Sequence, residues 1–555
     1  MKLSPWSRAA LAALAVAACG GPAKVGTRPS WRTQTHQHKK SATQPPRMVE
    51  FAPTGAAVER YNGPPVTAAP SDPLADRIVD AMRDAAEQAG MPAPVADGRL
   101  FAAARDLAAV VPENTPIQYP AVEFALQRHG IIEPSPHLMV IWGPIDDPQA
   151  IMEQLVTRIP EILQAGPFTR IGVGSAMRGK DGQGAAILAL QTSSIETDPI
   201  PRALPAGGST KLHGRVHAPY QNPQLFVTRE NGDVDELPVS GSGGEFRASL
   251  SCDQRQGRQQ VEITAVDEHG STVLANFPVW CGESPPTSMR IEYDPRDAET
   301  LSAADAEKRL LDLVNADRAQ FGLPALVPDS AVAAVARAHS QEMYETGVVA
   351  HISPRTGSAA DRVKAAHIVT PVVLENVARA YGVVEAEQGL MNSPGHRANI
   401  LSKDATNIGV GVVVGEEVAG RRELFITQVF TFKGGKVDPV AAVAQVRKAI
   451  SGVSMASEDP QLSRLAQHQA DEVASGVTPA DSTKHTSARA NAEGLPGRYS
   501  RVSTAVIPVP KVSAFQPNKI FDAKITNYGV GIAQGPNPTL GDNAIYIVLL
   551  IAVRR

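Results

Sequence analysis

Residues 391–401 read Met-Asn-Ser-Pro-Gly-His-Arg-Ala-Asn-Ile-Leu. Ser393 followed by Pro394 signals a helix start. The hydroxyl can cap the first backbone N–H groups, and proline's fixed φ suits the first helical position, where its missing N–H is not needed. Gly395 and His396 then fall in the first turn, which fixes an imidazole at the head of the helix. Two upstream stretches carry the same kind of chemistry: Ala350-His351-Ile352-Ser353-Pro354 and Leu374-Glu375-Asn376-Val377-Ala378. The three pieces together nominate a cleft holding two imidazoles and a carboxylate.

The surrounding sequence reads as helices that lead into these pieces. Ser302 is placed to cap a helix with Asp305 in its first turn. Leu310, Leu313, Val314 and Phe321 give that helix one apolar stripe, and Gly322-Leu323-Pro324 stops it. A second helix is expected from about Ser330 to Glu345, ended by Gly347, with the His351 loop beyond it.

The ordered set Leu311-Asp312-Leu313-Val314-Asn315, His351-Ile352-Ser353-Pro354, Arg362, Glu375-Asn376-Val377-Ala378, Ser393 to Leu401, Ile408-Gly409-Val410-Gly411 and Thr427-Gln428-Val429-Phe430 resembles the CAP superfamily. That superfamily holds the cysteine-rich secretory, antigen 5 and pathogenesis-related proteins, and the match is to its bacterial, SCP-like extracellular branch. For residues 302–436 the resemblance implies an α-β-α sandwich with a central cleft lined by His and Glu. It implies that His351 and Glu375 are the first cleft His and Glu, and that His396 is the histidine of the bacterial Ser-Pro-Gly-His-Arg motif. It implies a second cleft carboxylate from the preceding helix, Glu385 by position, with Glu387 the other candidate. Animal and plant members carry a His where this chain has Phe425, so their tetrad is not reproduced.

Two imidazoles and one or two carboxylates facing a cleft can bind a divalent cation such as zinc, with His351 and His396 as ligands. They can also do general acid–base work near neutral pH. The structural alternative is that Glu375 accepts backbone N–H groups and the histidines fix loops. Ser353 and Ser393 are the available hydroxyl nucleophiles, but each precedes a proline in a structural motif.

The same landmarks recur on either side. Asp97, Asp329 and Asp459 each stand where an N-cap belongs, with small and apolar residues at helical spacing behind them. Downstream of each comes a strand start: Thr169-Arg170-Ile171-Gly172-Val173-Gly174, Thr406-Asn407-Ile408-Gly409-Val410-Gly411 and Thr526-Asn527-Tyr528-Gly529-Val530-Gly531. A Gly-rich hairpin and a β-rich run follow each one. This predicts degenerate CAP-like domains over 71–200 and 437–555. In the first, His129 has no matched partner; in the third, Asn491-Ala492-Glu493 is the nearest remnant of the Glu motif.

Residues 205–290 have a different texture. Alternating runs such as Gln224–Thr228, Phe246–Leu250 and Gln260–Val266 are separated by turn signals, which suggests an all-β, immunoglobulin-like sandwich. Cys252 and Cys281 are expected to pair there, closing a loop of about thirty residues for roughly 3–4 kcal/mol in the chain-entropy model.

At 555 residues the expectation is a multidomain α+β chain. The net charge of −4, with acids and bases interspersed, supplies no basic footprint for nucleic acid. Lys2 and Arg8 precede a short apolar run that ends Val16-Ala17-Ala18-Cys19. That ending resembles a bacterial lipoprotein box, which implies that residues 1–18 are removed and Cys19 is lipidated. The membrane is then a partner through the lipid, and Gly20 after the Cys points to an outer membrane or cell-surface location. Residues 19–70 read as a flexible tether. Three functions remain open: a binding and presentation protein for a cation, lipid or cell-envelope ligand; a hydrolase of peptide or cell-wall material using His351, His396 and Glu375; and a structural adhesion protein.

Overall fold

The computed structural model describes residues 16–18, 46–63, 72–112, 117–164, 166–179, 182–252, 254–293, 301–418 and 421–555. Cys19 and most of the expected leader lie outside them.

The first unit contains helices α1 (Pro73–Gln88), α2 (Gly98–Val110) and α3 (Tyr119–Arg128). Its sheet is made of β1 (Val95–Ala96), β2 (His137–Pro144), β3 (Arg170–Met177) and β4 (Gln183–Gln191), in the order β1-β3-β4-β2. The β1–β3 pair is parallel and the others are antiparallel. Apolar clusters on both faces of this sheet make it the middle of a three-layer packing.

A β-sandwich follows. One sheet has the order β9-β6-β5, from β5 (Ile195–Thr197), β6 (Ser209–Val216) and β9 (Glu245–Ser251). The other has the order β8-β7-β10-β11, from β7 (Gln221–Thr228), β8 (Val234–Leu237), β10 (Gly257–Asp267) and β11 (Gly270–Cys281). Cys252 and Cys281 are disulfide-bonded with Cα atoms 5.5 Å apart. The sandwich core reaches beyond 205–290, because Tyr61 and Ile132 are part of it.

The middle unit runs α4 (Ala303–Gln320), β12 (Val327–Pro328), α5 (Ser330–Thr346), α6 (Ala359–Ala365), β13 (Val373–Ala380), α7 (Val383–Asn392), α8 (Pro394–Ile400), β14 (Asn407–Val418) and β15 (Arg421–Thr431). Its strands are ordered β12-β14-β15-β13. The backbone of Val16–Ala18 bridges the edges of β11 and β13, so this sheet and the larger sandwich sheet run on as one. The last unit has α9 (Pro439–Ser451), β16 (Ser457–Glu458), α10 (Pro460–Ala474), α11 (Pro479–Ala492), β17 (Tyr499–Val509), β18 (Asn527–Asn537) and β19 (Gly541–Arg554), with sheet order β16-β18-β19-β17. All three sheets therefore share one order and one pattern of parallel and antiparallel neighbours.

Two local devices repeat with that topology. Asp97, Asp329 and Asp459 each cap the helix behind them, accepting from the backbone N–H two residues on at 2.9, 2.9 and 2.8 Å. The Gly-x-Gly of each central strand lies directly under that helix. A Cβ at Gly409 or Gly411 would strike the backbone at Val332–Ala333 and Ala336–Arg337, and Gly172, Gly174, Gly529 and Gly531 in the first and last units meet their helices in the same way. Helix and sheet approach this closely only because no side chain stands between them.

Two expectations need correction. Within the stretch read as a tether, Arg47–Phe51 pairs with Met289–Tyr293 and Arg60–Tyr61 pairs with Ile200–Pro201, because Phe51 and Tyr61 are large apolar groups that become fully buried. Phe321 does not join the apolar stripe of α4. It caps that helix, partly exposed, beneath the Arg397 guanidinium, while the buried Arg318 stem takes the place on the stripe.

Gly411→Ala is expected to destabilise the protein by about 1–3 kcal/mol or more, since the methyl meets backbone that cannot move aside. Thermal or urea unfolding of the purified chain measures it.

Candidate functional site

The His351 loop leaves α5 at Gly347, which takes a left-handed φ of 70°. It closes on itself through Ser353 N–H to Gly357 O and Gly357 N–H to Ser353 O, at 3.0 and 2.9 Å. Arg362 of α6 donates to the carbonyls of His351 and Gly357 at 3.3 and 2.6 Å, and its other guanidinium nitrogen bonds a Glu375 oxygen. His351 Nδ1 bonds the second Glu375 oxygen at 3.0 Å. Glu375 on β13 and His351 are both buried. Burial pushes the Glu375 carboxyl up, but the His351 bond and the Arg362 charge outweigh it and hold the group at about 2. Glu375 is therefore a carboxylate at any physiological pH, and His351 Nδ1 is the donor to it.

His396 lies in the first turn of α8 and is completely buried. Its Nδ1 is 2.7 Å from Ser393 Oγ. Ser393 in turn donates its hydroxyl proton to Glu262 of β10, and the second oxygen of Glu262 accepts Gly395 N–H at 3.0 Å. Burial, with a smaller contribution from the charge of His351, holds the His396 imidazolium pKa well below its usual value, so the ring is neutral. Nε2 of His351 and Nε2 of His396 are both buried without a hydrogen-bond partner.

Glu385 and Glu387 occupy different settings. Glu385, in the first turn of α7, accepts Tyr381 N–H at 3.0 Å. Glu387 is buried and accepts from Gln428 at 3.0 Å; Gln428 accepts from Asn376, and Asn376 accepts from Asn399. Asn376 and Asn399 also donate to the carbonyls of His396 and Glu375, so this ladder ties α8 to β13 behind the cleft. Burial, then the nearby Asp317 charge, pushes the Glu387 carboxyl up to about 8. Phe425 stands edge-on to Tyr344, ring centroids 5.7 Å apart, in an apolar cluster with Met343, Val349 and Val377. An aromatic packing role thus fills the position of the animal and plant histidine.

Three participants were not picked out by sequence reasoning. His339 of α5 bonds the Ala350 carbonyl through Nε2 at 2.8 Å and holds the start of the His351 loop. Glu262 comes from the sandwich. His269, at the tip of the β10–β11 hairpin, accepts the N–H groups of His351 and Ile352 with its carbonyl at 3.2 and 3.0 Å. Glu262 left no signal in the sequence. Val261, Ile263 and Ala265 face the sandwich core, so Glu262 and Thr264 should face water, yet both are 0% exposed. A second domain covers that face.

Ser353 donates its hydroxyl proton to Glu342 and Ser393 donates its own to Glu262. Among the described residues, the one set of three potential ligands within reach of a common ion is Glu230, Cys252 and Cys281. Those cysteines are spent in the disulfide, so that set supports no metal. His351 and His396 supply two nitrogen donors. Both Glu375 oxygens are engaged, one by His351 and one by Arg362, so Glu375 is not free to be a ligand itself.

The family model for CAP, the cysteine-rich secretory protein family, matches residues 311–430, and this region is a CAP domain. The uncharacterized membrane protein YlbC of Bacillus subtilis is 40% identical over 110 residues, 19% of this chain and 31% of that protein. The uncharacterized protein YkwD of the same organism is 39% identical over 132 residues, 24% of this chain and 51% of its own length. The chain thus spans about half or less of the curated relatives it matches. A solved extracellular protein with an SCP domain from Bacillus anthracis is 22% identical, with 49% of this chain and 70% of that one covered and a TM-score of 0.22. Among the described residues no helix is long and apolar enough to cross a membrane.

Two pH effects follow. Glu375, depressed from 4.5 to about 2, stabilises the fold above pH 4.5, and this is lost as pH falls towards 2. Glu375→Gln should remove that acid dependence and cost about 3–5 kcal/mol at pH 7, because it leaves Arg362 buried and unpaired. Glu387, raised from 4.5 to about 8, has the opposite sign: stability falls as pH rises through that window. Glu387→Gln should match wild type at pH 4.5 and exceed it at pH 8. Urea titrations across pH check both.

Proposed function

We propose that the chain is an exported binding and presentation protein whose CAP cleft holds a divalent cation, zinc by the donor set, between Nε2 of His351 and Nε2 of His396. One observation carries the reading: each imidazole has Nδ1 committed to a fixed acceptor, and each Nε2 is left buried without a partner. An imidazole held this way on Nδ1 presents an Nε2 lone pair, the usual arrangement of a metal-ligating histidine. With two protein ligands, water would complete the tetrahedron, and a zinc ion there would act as a Lewis acid on whatever shares its coordination sphere.

The burial of both rings favours a small ligand over a lipid chain or a cell-wall polymer. The burial of Ser353 and Ser393 weighs against their attack on a polymeric substrate. The shared sheet order, Asp caps and Gly-x-Gly crossings support reading the first and last units as CAP-like copies that kept the core without the cleft residues. In the first, His129 bonds Asp106 at 2.7 Å; in the last, Glu493 accepts from Gln461 at the surface. The two-sheet domain between them serves as an immunoglobulin-like spacer. The Cys19 box supports lipid anchoring to the cell envelope, at the outer membrane or cell surface.

Calorimetric zinc titration of the full chain tests this. Wild type should bind one ion, and His351→Ala and His396→Ala should each weaken it at least tenfold. Equal heats from all three proteins would remove the reading.

A further inference from the structure

We infer that Glu262, contributed by the β-sandwich and not by the CAP domain, is a positioning residue that sets the tautomer of His396 through the hydroxyl of Ser393. An ionised carboxylate only accepts hydrogen bonds, and a serine hydroxyl has one proton to give. Glu262 takes that proton, so Ser393 Oγ can meet His396 Nδ1 only as an acceptor. The ring must then carry its proton on Nδ1, which leaves the Nε2 lone pair bare in the cleft. Glu375 does the same for His351 directly. The two imidazoles reach the same protonation pattern by different routes, one within the CAP domain and one across a domain boundary.

Glu262 is well placed for this. It sits in mid-strand, paired with Phe226 on β7 and Asn276 on β11, so its backbone is held on both sides. Its two oxygens are satisfied by Ser393 and by Gly395 N–H, which fixes the carboxylate against the head of α8. The surrounding contacts hold the sandwich there: Arg258 donates to Asn392 at 2.8 Å, and His269 takes the two N–H groups of the His351 loop. Without Glu262 the Ser393 hydroxyl keeps its other partner, His396 Nδ1, as the acceptor for its proton. The ring would then hold its own proton on Nε2, where a metal ligand cannot.

The test is long-range 1H–15N spectroscopy of the full chain labelled with 15N-histidine, at pH 8. Burial pushes the Glu262 carboxyl up to about 7, against the pull of Ser393 and Gly395, so it is ionised there. In wild type, His396 should show a protonated Nδ1 and a pyridine-like Nε2. Glu262→Leu should exchange the two and weaken zinc binding about 10–100-fold. Glu262→Gln has one amide oxygen for two donors: the oxygen keeps Gly395 N–H and the NH2 faces Ser393 Oγ, so this near-isosteric variant should also shift His396 towards Nε2–H, which a merely structural role would not require. If Glu262→Leu fails to fold, Ser393→Ala removes the relay while leaving the bond from Glu262 to Gly395 N–H, and the Nδ1–H population should fall. An unchanged Nδ1–H in Glu262→Leu, or in Ser393→Ala where that is the folded variant, overturns the inference, as does an Nε2–H tautomer in wild type. The effect on metal rests on the function proposed above, and the two fail separately. A tautomer switch with unchanged zinc affinity sinks the cation reading alone; His396-dependent zinc binding with no switch sinks the role of Glu262 alone.

Discussion

A carboxylate with no access to water must be paid for by its neighbours, and Glu375 is such a group. Buried on β13, it stays ionised only because Arg362 and His351 both reach it. Those two bonds organise everything around them. Arg362 also gathers the carbonyls of the His351 loop, so the loop cannot move without exposing a charge. His351 is turned so that Nδ1 faces Glu375, and its Nε2 is left buried without a partner. The loop is then stiff enough for the sandwich to dock on it through a single carbonyl, that of His269.

The cleft is consequently built by two domains. The CAP domain supplies both imidazoles, and the sandwich supplies the acceptor behind one of them. The outward face of β10 carries Gln260, Glu262 and Thr264, polar residues suited to a solvated strand, and they are buried against α8 and its surroundings. On this covered face Glu262 finds two partners, while Thr264 Oγ1 is buried without one.

Local chemistry was the legible part of the sequence. Asp caps and Gly-x-Gly strands depend on residues close in the chain, and the structure places them as the patterns indicate; Ser393 does begin its helix, but its hydroxyl makes no cap bond and goes to Glu262 instead. The paired cysteines could be read because exported proteins use them in pairs. Contacts between units were not legible. Phe51 and Tyr61 looked like tether because their neighbours are polar and proline-rich; their burial is decided by strands hundreds of residues away in the chain. Glu262 looked like an ordinary solvent-facing position in an alternating strand, since nothing local says that another domain will cover it. Glu385 and Glu387, two residues apart, were hard to rank for the same reason: helical phase alone does not tell which one meets Gln428.

The central claim is a placement of protons: Nδ1 protonated and Nε2 bare on both cleft histidines. Neutron diffraction from crystals of the deuterated full chain observes this directly. The account predicts deuterium on Nδ1 of His351 and of His396, with none on either Nε2, and a Ser393 deuterium pointing at Glu262. Deuterium on Nε2 of either ring, with Nδ1 bare, would contradict it.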